Sequence, residues 1–167
     1  MPIHFSVRLT DRDMYRFNLY HAYTSMQGIL SVAAAVLIVC VTIFARNRLD
    51  GGEILMYLAL ALVFLVYLPF SLKMRSKRQI ALSEVLQNTL YYTLSEEGIT
   101  VATETSDETA LLPWDMVYKV VCNSSQILIY SNRVNAYVIP KEAVADQQGE
   151  IFEVFRGKLE DFRLRLK

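Results

Sequence analysis

QGILSVAAAVLIVCVTIFA, Gln27 to Ala45, and ILMYLALALVFLVYLPFSL, Ile54 to Leu72, are two windows of 19 residues without a single charge. At the rise of an α-helix, a run of that length reaches about 28 Å, close to the hydrocarbon thickness of a bilayer. The rest of the 167-residue chain is too small to wrap two wholly apolar helices on every side, which disfavours a buried hairpin in a soluble protein. A cleaved signal peptide is disfavoured too, because Arg8, Asp11, Arg12, Asp13 and Arg16 precede a first window that starts late and runs long. The windows predict a membrane α-helical hairpin, with transmembrane helices at 22–45 and 54–72 and the lipid bilayer as first partner.

Between them RNRLDGGE, 46–53, has room for a reversal and nothing larger, with Gly51 and Gly52 expected at its tightest point. Basic residues set the orientation. Lys73, Arg75, Lys77 and Arg78 follow the second window and Arg12 and Arg16 precede the first, against Arg46 and Arg48 in the turn. Six against two predicts a multi-pass protein with both termini cytoplasmic, the four residues of the exit touching the membrane surface.

Ile3, Phe5, Val7 and Leu9 alternate with polar neighbours as in a half-buried strand, and Thr10 with Asp13 resembles a capping box. Residues 1–21 therefore read as a strand and an amphipathic helix, the first span continuing that helix. Residues 73–90 read as a basic exit and a helical stalk, with Ile80, Leu82, Val85, Leu86 and Leu90 in helical spacing. From 91 to 167 the period changes. Tyr91–Leu94, Ile99–Thr103, Thr109–Leu112, Tyr118–Cys122, Ile127–Tyr130 and Ala136–Ile139 are short β-prone runs, with turn signals at Glu97-Gly98, Asn123-Ser124 and Ser131-Asn132. The tail from Glu150 to Lys167 sets Ile151, Phe155, Leu159, Phe162 and Leu166 on one helical stripe expected to pack on the sheet.

LTDRDMYRFNLYH at the start, the paired apolar windows, the basic exit, and then YYTLSEEGI, LLPWDMVYKVV, ILIYSN and YVIPKEA resemble the YcxB-like family of bacterial membrane proteins. The resemblance implies a two-span protein of the bacterial cell membrane. Its cytoplasmic domain would be similar to a pleckstrin-homology-like fold, a bent antiparallel sheet closed by a C-terminal helix. The fold class is thus a membrane hairpin plus an α+β domain, joined by the N-terminal strand, which needs a sheet to cover Ile3, Phe5 and Val7. The resemblance brings no established reaction.

The chemistry-bearing residues are sparse. His4 and His21 stand far from a second ligand, Cys40 and Cys122 fall in separate regions, and there is no phosphate-cradling glycine loop or nucleophile elbow, so no metal, cofactor or enzymatic role is expected. Glu96-Glu97 and Asp107-Glu108 are expected in turns, solvated. Seventeen basic against seventeen acidic residues, with Glu84, Glu96, Glu97, Glu104, Asp107, Glu108 and Asp115 running from Gln79 to Tyr118 without a Lys or Arg, argue against nucleic acid. Arg163, Arg165 and Lys167 are candidates for a second lipid contact. Trp114, among apolar neighbours, is expected in the domain core, with Pro113 and Pro140 shaping strand ends. Gly28, Ser31 and Ala35 mark a small-residue face for packing on the second span or on a copy in a homodimer. No ionisable group lies inside either window, which disfavours a channel or transporter.

These readings favour a non-catalytic interaction module presenting its cytoplasmic domain to a membrane protein, a peptide or a lipid head group. The alternative is a self-protection, immunity-type protein whose hairpin engages a membrane-active peptide or toxin.

Overall fold

The computed structural model describes residues 2–104 and 106–166; the side chains of Gln27, Ser106, Asp107, Glu108 and Lys167 lie outside the described residues. Two compact units emerge, one helical (15–77) and one built from both ends of the chain (1–14 and 78–167).

The helical unit holds most of α1 (Asp11–Tyr23), all of α2 (Met26–Ala45) and the greater part of α3 (Gly51–Leu82). Thr10 and Asp13 do form the capping box: the Thr10 N–H and hydroxyl donate to the Asp13 carboxylate at 3.0 and 2.6 Å, and the Asp13 N–H returns to Thr10 Oγ1 at 3.3 Å. The expected continuous helix from α1 into the first apolar window is corrected: the helix breaks at Thr24–Ser25. Ser25 is extended and its hydroxyl caps α2 by accepting from the Gly28 N–H, while the Thr24 hydroxyl turns back to the Tyr20 carbonyl at 2.8 Å. The Ser25 hydroxyl satisfies a backbone N–H that a continuous helix would have paired itself, and the Tyr20 carbonyl also keeps its helical bond from the Thr24 N–H at 3.0 Å.

Gly51 and Gly52 are not the tip of the reversal either. They occupy the first turn of α3, capped reciprocally by Asp50 and Glu53, with Glu53 N–H to Asp50 Oδ1 at 2.8 Å and Asp50 N–H to Glu53 Oε2 at 3.0 Å. α3 then runs through Pro69 and the basic exit to Leu82. Both α2 and α3 are long and apolar enough to cross a membrane, and only 17% and 6% of their apolar windows are buried.

The second unit carries two four-stranded sheets rather than one continuous sheet. The stalk stops early: Ser83 caps a single turn, α4 (Glu84–Gln87), Leu82 and Val85 are exposed, and Leu90 is the buried first residue of a strand. In the first sheet β1 (Ile3–Val7), β2 (Leu90–Leu94), β3 (Gly98–Thr103) and β4 (Ser106–Pro113) lie in that order, all antiparallel. The N-terminal strand therefore joins the domain, with Val7 opposite Leu90 and Ile3 opposite Leu94, and Phe5 stacked on Tyr92 at 5.2 Å. Asp107 and Glu108, expected in a turn, belong to β4 by their backbone.

The second sheet has the order β7 (Ala136–Pro140), β6 (Gln126–Tyr130), β5 (Lys119–Cys122) and β8 (Leu164–Leu166). Its turns are held by asparagines: Asn123 Oδ1 accepts from the Ser125 and Gln126 N–H groups at 3.0 and 2.7 Å, and Asn132 Oδ1 from Val134 and Asn135 at 2.9 and 2.7 Å.

The expected helix to Lys167 is corrected as well. α5 (Gln148–Lys158) ends where Leu159 turns extended, a 3-10 turn follows at Asp161–Arg163, and β8 pairs in parallel with β5, Val120 opposite Leu164 and Cys122 opposite Leu166. The stripe holds only for Ile151, Phe155 and Leu159, which are buried, whereas Phe162 is 76% exposed. Burying a side chain such as Phe155 stabilises by about 1.5–3 kcal/mol, so these three suffice to seat the helix. Tyr92 and Tyr137, edge to face at 6.3 Å, join the two sheets.

Candidate functional site

The candidate residues that fall among the described ones each have a definite place, while Lys167 lies outside them. Trp114 is buried in a 3-10 turn (Trp114–Met116) between β4 and β5, edge to face with Phe155 at 6.1 Å, and its Nε1–H donates to the Ser95 carbonyl at 3.0 Å. One indole thus ties the β2–β3 turn to α5. Pro113 closes β4 and Pro140 closes β7, each starting a 3-10 turn with ψ held extended at 151° and 131°. Trp114 and Pro140 are buried and Pro113 is half-buried.

Ser31 and Ala35 lie on one face of α2. The Ser31 hydroxyl reaches the Phe64 carbonyl of α3 at 3.4 Å, and Ala35 and Thr42 are buried on α2 as Ala61 is on α3. Gly28 has a different job. A Cβ there would stand 2.1 Å from the Ala22 carbonyl oxygen, so Gly28 admits the end of α1 against the start of α2. Beside the small-residue face, Leu30, Ser31, Ala34, Val63, Phe64, Tyr67 and Leu68 line an apolar groove of about 440 Å³.

Lys73, Arg75, Lys77 and Arg78 are all exposed on the last turns of α3. Ser76 among them faces inward, accepting from Asn18 Nδ2 at 2.8 Å and donating to the Leu72 carbonyl at 2.8 Å, which directs its charged neighbours outward. Arg163 is not available as a free surface cation. Its Nη1 donates to the Asp115 and Val117 carbonyls at 3.2 and 2.9 Å, clamping the segment before β8 to the Trp114 turn.

The sheet unit offers two further surfaces that sequence reasoning did not separate. Pro2, Ile3, His4, Gln147, Glu150, Glu153 and Val154 line an open cleft of about 650 Å³ between β1 and the start of α5, where His4 Nδ1 is 2.9 Å from Thr93 Oγ1. No group of three potential metal ligands forms among the described residues. The other surface is the edge of the first sheet, where Thr109, Ala110 and Leu111 are exposed on β4. Glu104 takes the Tyr91 hydroxyl at 2.7 Å, a bond that raises the phenol's pKa, and Glu96, held below its usual value chiefly by its hydrogen bond to Lys158, is paired across to α5.

Residues 94–155, from the end of β2 through the first turns of α5, match the family described as YcxB-like protein. The segments YYTLSEEGI, LLPWDMVYKVV, ILIYSN and YVIPKEA fall largely within that match, while β1, β8 and both apolar helices lie outside it. No curated protein matches the chain.

Proposed function

With a YcxB-like segment at the heart of the sheet unit, we propose that the chain is a non-catalytic, membrane-anchored interaction module of the bacterial cell membrane: α2 and α3 cross the bilayer, and a pleckstrin-homology-like domain is presented to a partner in the cytoplasm. The observation that carries this reading is the pairing of β1 with β2. One sheet drawn from both flanks of the helical unit stands on one side of a membrane, so the chain between Val7 and Leu90 crosses it an even number of times or not at all. Two helices of sufficient length, with apolar side chains left exposed as Phe44 is at 90% and Leu55 at 69%, support two crossings. The exposed Lys73, Arg75, Lys77 and Arg78 support a cytoplasmic exit on anionic lipid, at about 1 kcal/mol per basic residue.

The self-protection reading keeps one specific support, the apolar groove of about 440 Å³ lined by α2 and α3. Capture of the full chain from its own membranes in mild detergent, beside a version lacking 92–167, separates the two. A copurifying protein or lipid lost with the deletion supports the module. Retention of the partner by the hairpin alone moves function into the helices and overturns it.

A further inference from the structure

We propose that the free edge of the first sheet, β4, takes a basic, extended peptide segment as an added strand. The site gives the interaction module its ligand class and so stands on that reading.

The edge is open. Among the described residues the first sheet ends at β4, and Thr109, Ala110 and Leu111 are all exposed, Leu111 to 50%. The backbone polarity of this edge follows from one hydrogen bond. The Gly98 carbonyl accepts from the Ser95 N–H at 2.9 Å, so Gly98 directs its polar groups toward β2. Alternation then turns Ile99 and Val101 toward their β4 partners Leu112 and Ala110. On β4 the residue between them, Leu111, directs both N–H and C=O away from the sheet. Pro113, next in that series, has no N–H to offer and sets the limit of the site.

Edge strands are commonly blunted by Lys, by bulges or by short length. β4 is eight residues long, and its register with β3 shifts between Ser106 and Ala110, so the regular part of the edge is the stretch from Ala110 to Pro113. No Lys or Arg occurs from Gln79 to Tyr118, whereas acids bracket the open stretch, Asp107 and Glu108 on β4 before it and exposed Asp115 after it. That charge distribution repels an anionic head group and selects an incoming strand with apolar residues beside Leu111 and Lys or Arg toward its ends. Main-chain bonds supply affinity in such additions and side chains supply choice. Segments of this composition are concentrated where other membrane proteins leave the bilayer on its cytoplasmic side.

The test uses the full chain in nanodiscs of zwitterionic lipid and three end-blocked fluorescent peptides: KVTVKVK, EVTVEVE, and KVTVKVK with two adjacent central amides N-methylated, which blocks both strand edges. Expected is binding of KVTVKVK at least tenfold tighter than either control. Leu111→Pro, which removes an outward N–H and no ladder bond, loses that preference. Asp107→Lys with Glu108→Lys, folded by near-ultraviolet circular dichroism, weakens KVTVKVK tenfold and admits EVTVEVE. Equal binding of the methylated peptide, no binding of any peptide, or a peptide-free dimer that Leu111→Pro converts to monomer overturns the assignment. Should the peptides fail while partner capture still depends on 92–167, the edge assignment falls and the module reading stands.

Discussion

Tyr92 buries its ring at the centre of the first sheet, stacked on Phe5, and its hydroxyl has no hydrogen-bond partner among the described residues. Burial, with Tyr137 adding to it, pushes the phenol above the ordinary tyrosine value of 10.0. The folded chain keeps this proton at a pH where the unfolded chain has lost it. Tyr92 therefore contributes its full share of stability below the unfolded value, and that share is lost as pH rises beyond it. Tyr92→Phe should leave stability at neutral pH unchanged or raised by about 1 kcal/mol, since an unpaired buried hydroxyl is removed. It should also flatten the fall in the unfolding midpoint on titration above pH 10, as followed by near-ultraviolet circular dichroism. Gly98 gives a second prediction. Its φ is not positive, yet a Cβ would meet the Leu112 carbonyl at 2.3 Å, so Gly98→Ala should cost about 1–3 kcal/mol in chemical denaturation through overpacking alone. Trp114 was legible in the sequence because its flanks are apolar. The role of Arg163 was not, because the two carbonyls it clamps belong to a turn 46 residues or more away.

Among the elements, six short runs read from alternation and β-branching all became strands, because one buried face is enough to fix a period of two. β8 escaped that reading. Leu159, Phe162 and Leu166 satisfy a helical stripe while Phe162, Leu164 and Leu166 satisfy a strand, and only the edge of β5, remote in sequence, decides between them. Leu164→Pro should lower the melting temperature of the sheet unit by several degrees and increase aggregation on heating, because it removes pairing from β5 and bares its edge. The break between α1 and α2 was equally hidden, since Thr24 and Ser25 are tolerated inside helices and only the bond from the Gly28 N–H to the Ser25 hydroxyl reveals the cap. Gly28→Val should cost more in thermal unfolding of the detergent-solubilised protein than Gly51→Val, since a Cβ at Gly51 meets nothing within 4 Å.

For the whole molecule, the proposed topology predicts opposite labelling of the two ends of α3. In a background with Cys40 and Cys122 replaced by Ser, Arg48→Cys should react with an impermeant maleimide in intact cells. Leu82→Cys should react only after permeabilisation. The reverse pattern would exclude a cytoplasmic sheet unit, and reaction of both in intact cells would exclude a two-span hairpin. The two apolar windows were plain from composition, since length and absence of charge are local properties. The division of the domain into two sheets, and the open edge of β4, were not, because both depend on which strands lack a neighbour.

The union of β1 with β2 also imposes an order of events during synthesis. His4 and Thr93, bonded across the two strands, lie 89 residues apart, and both apolar helices are translated between them. The first strand leaves the ribosome as an orphan and waits, its amides unmet, until the hairpin has been made and the second strand follows. In the proposed topology, closure of that sheet is a receipt for completed insertion. A chain whose second helix stalled would keep its two halves on opposite sides of the bilayer, display an unpaired strand, and be marked for proteolysis before it could act.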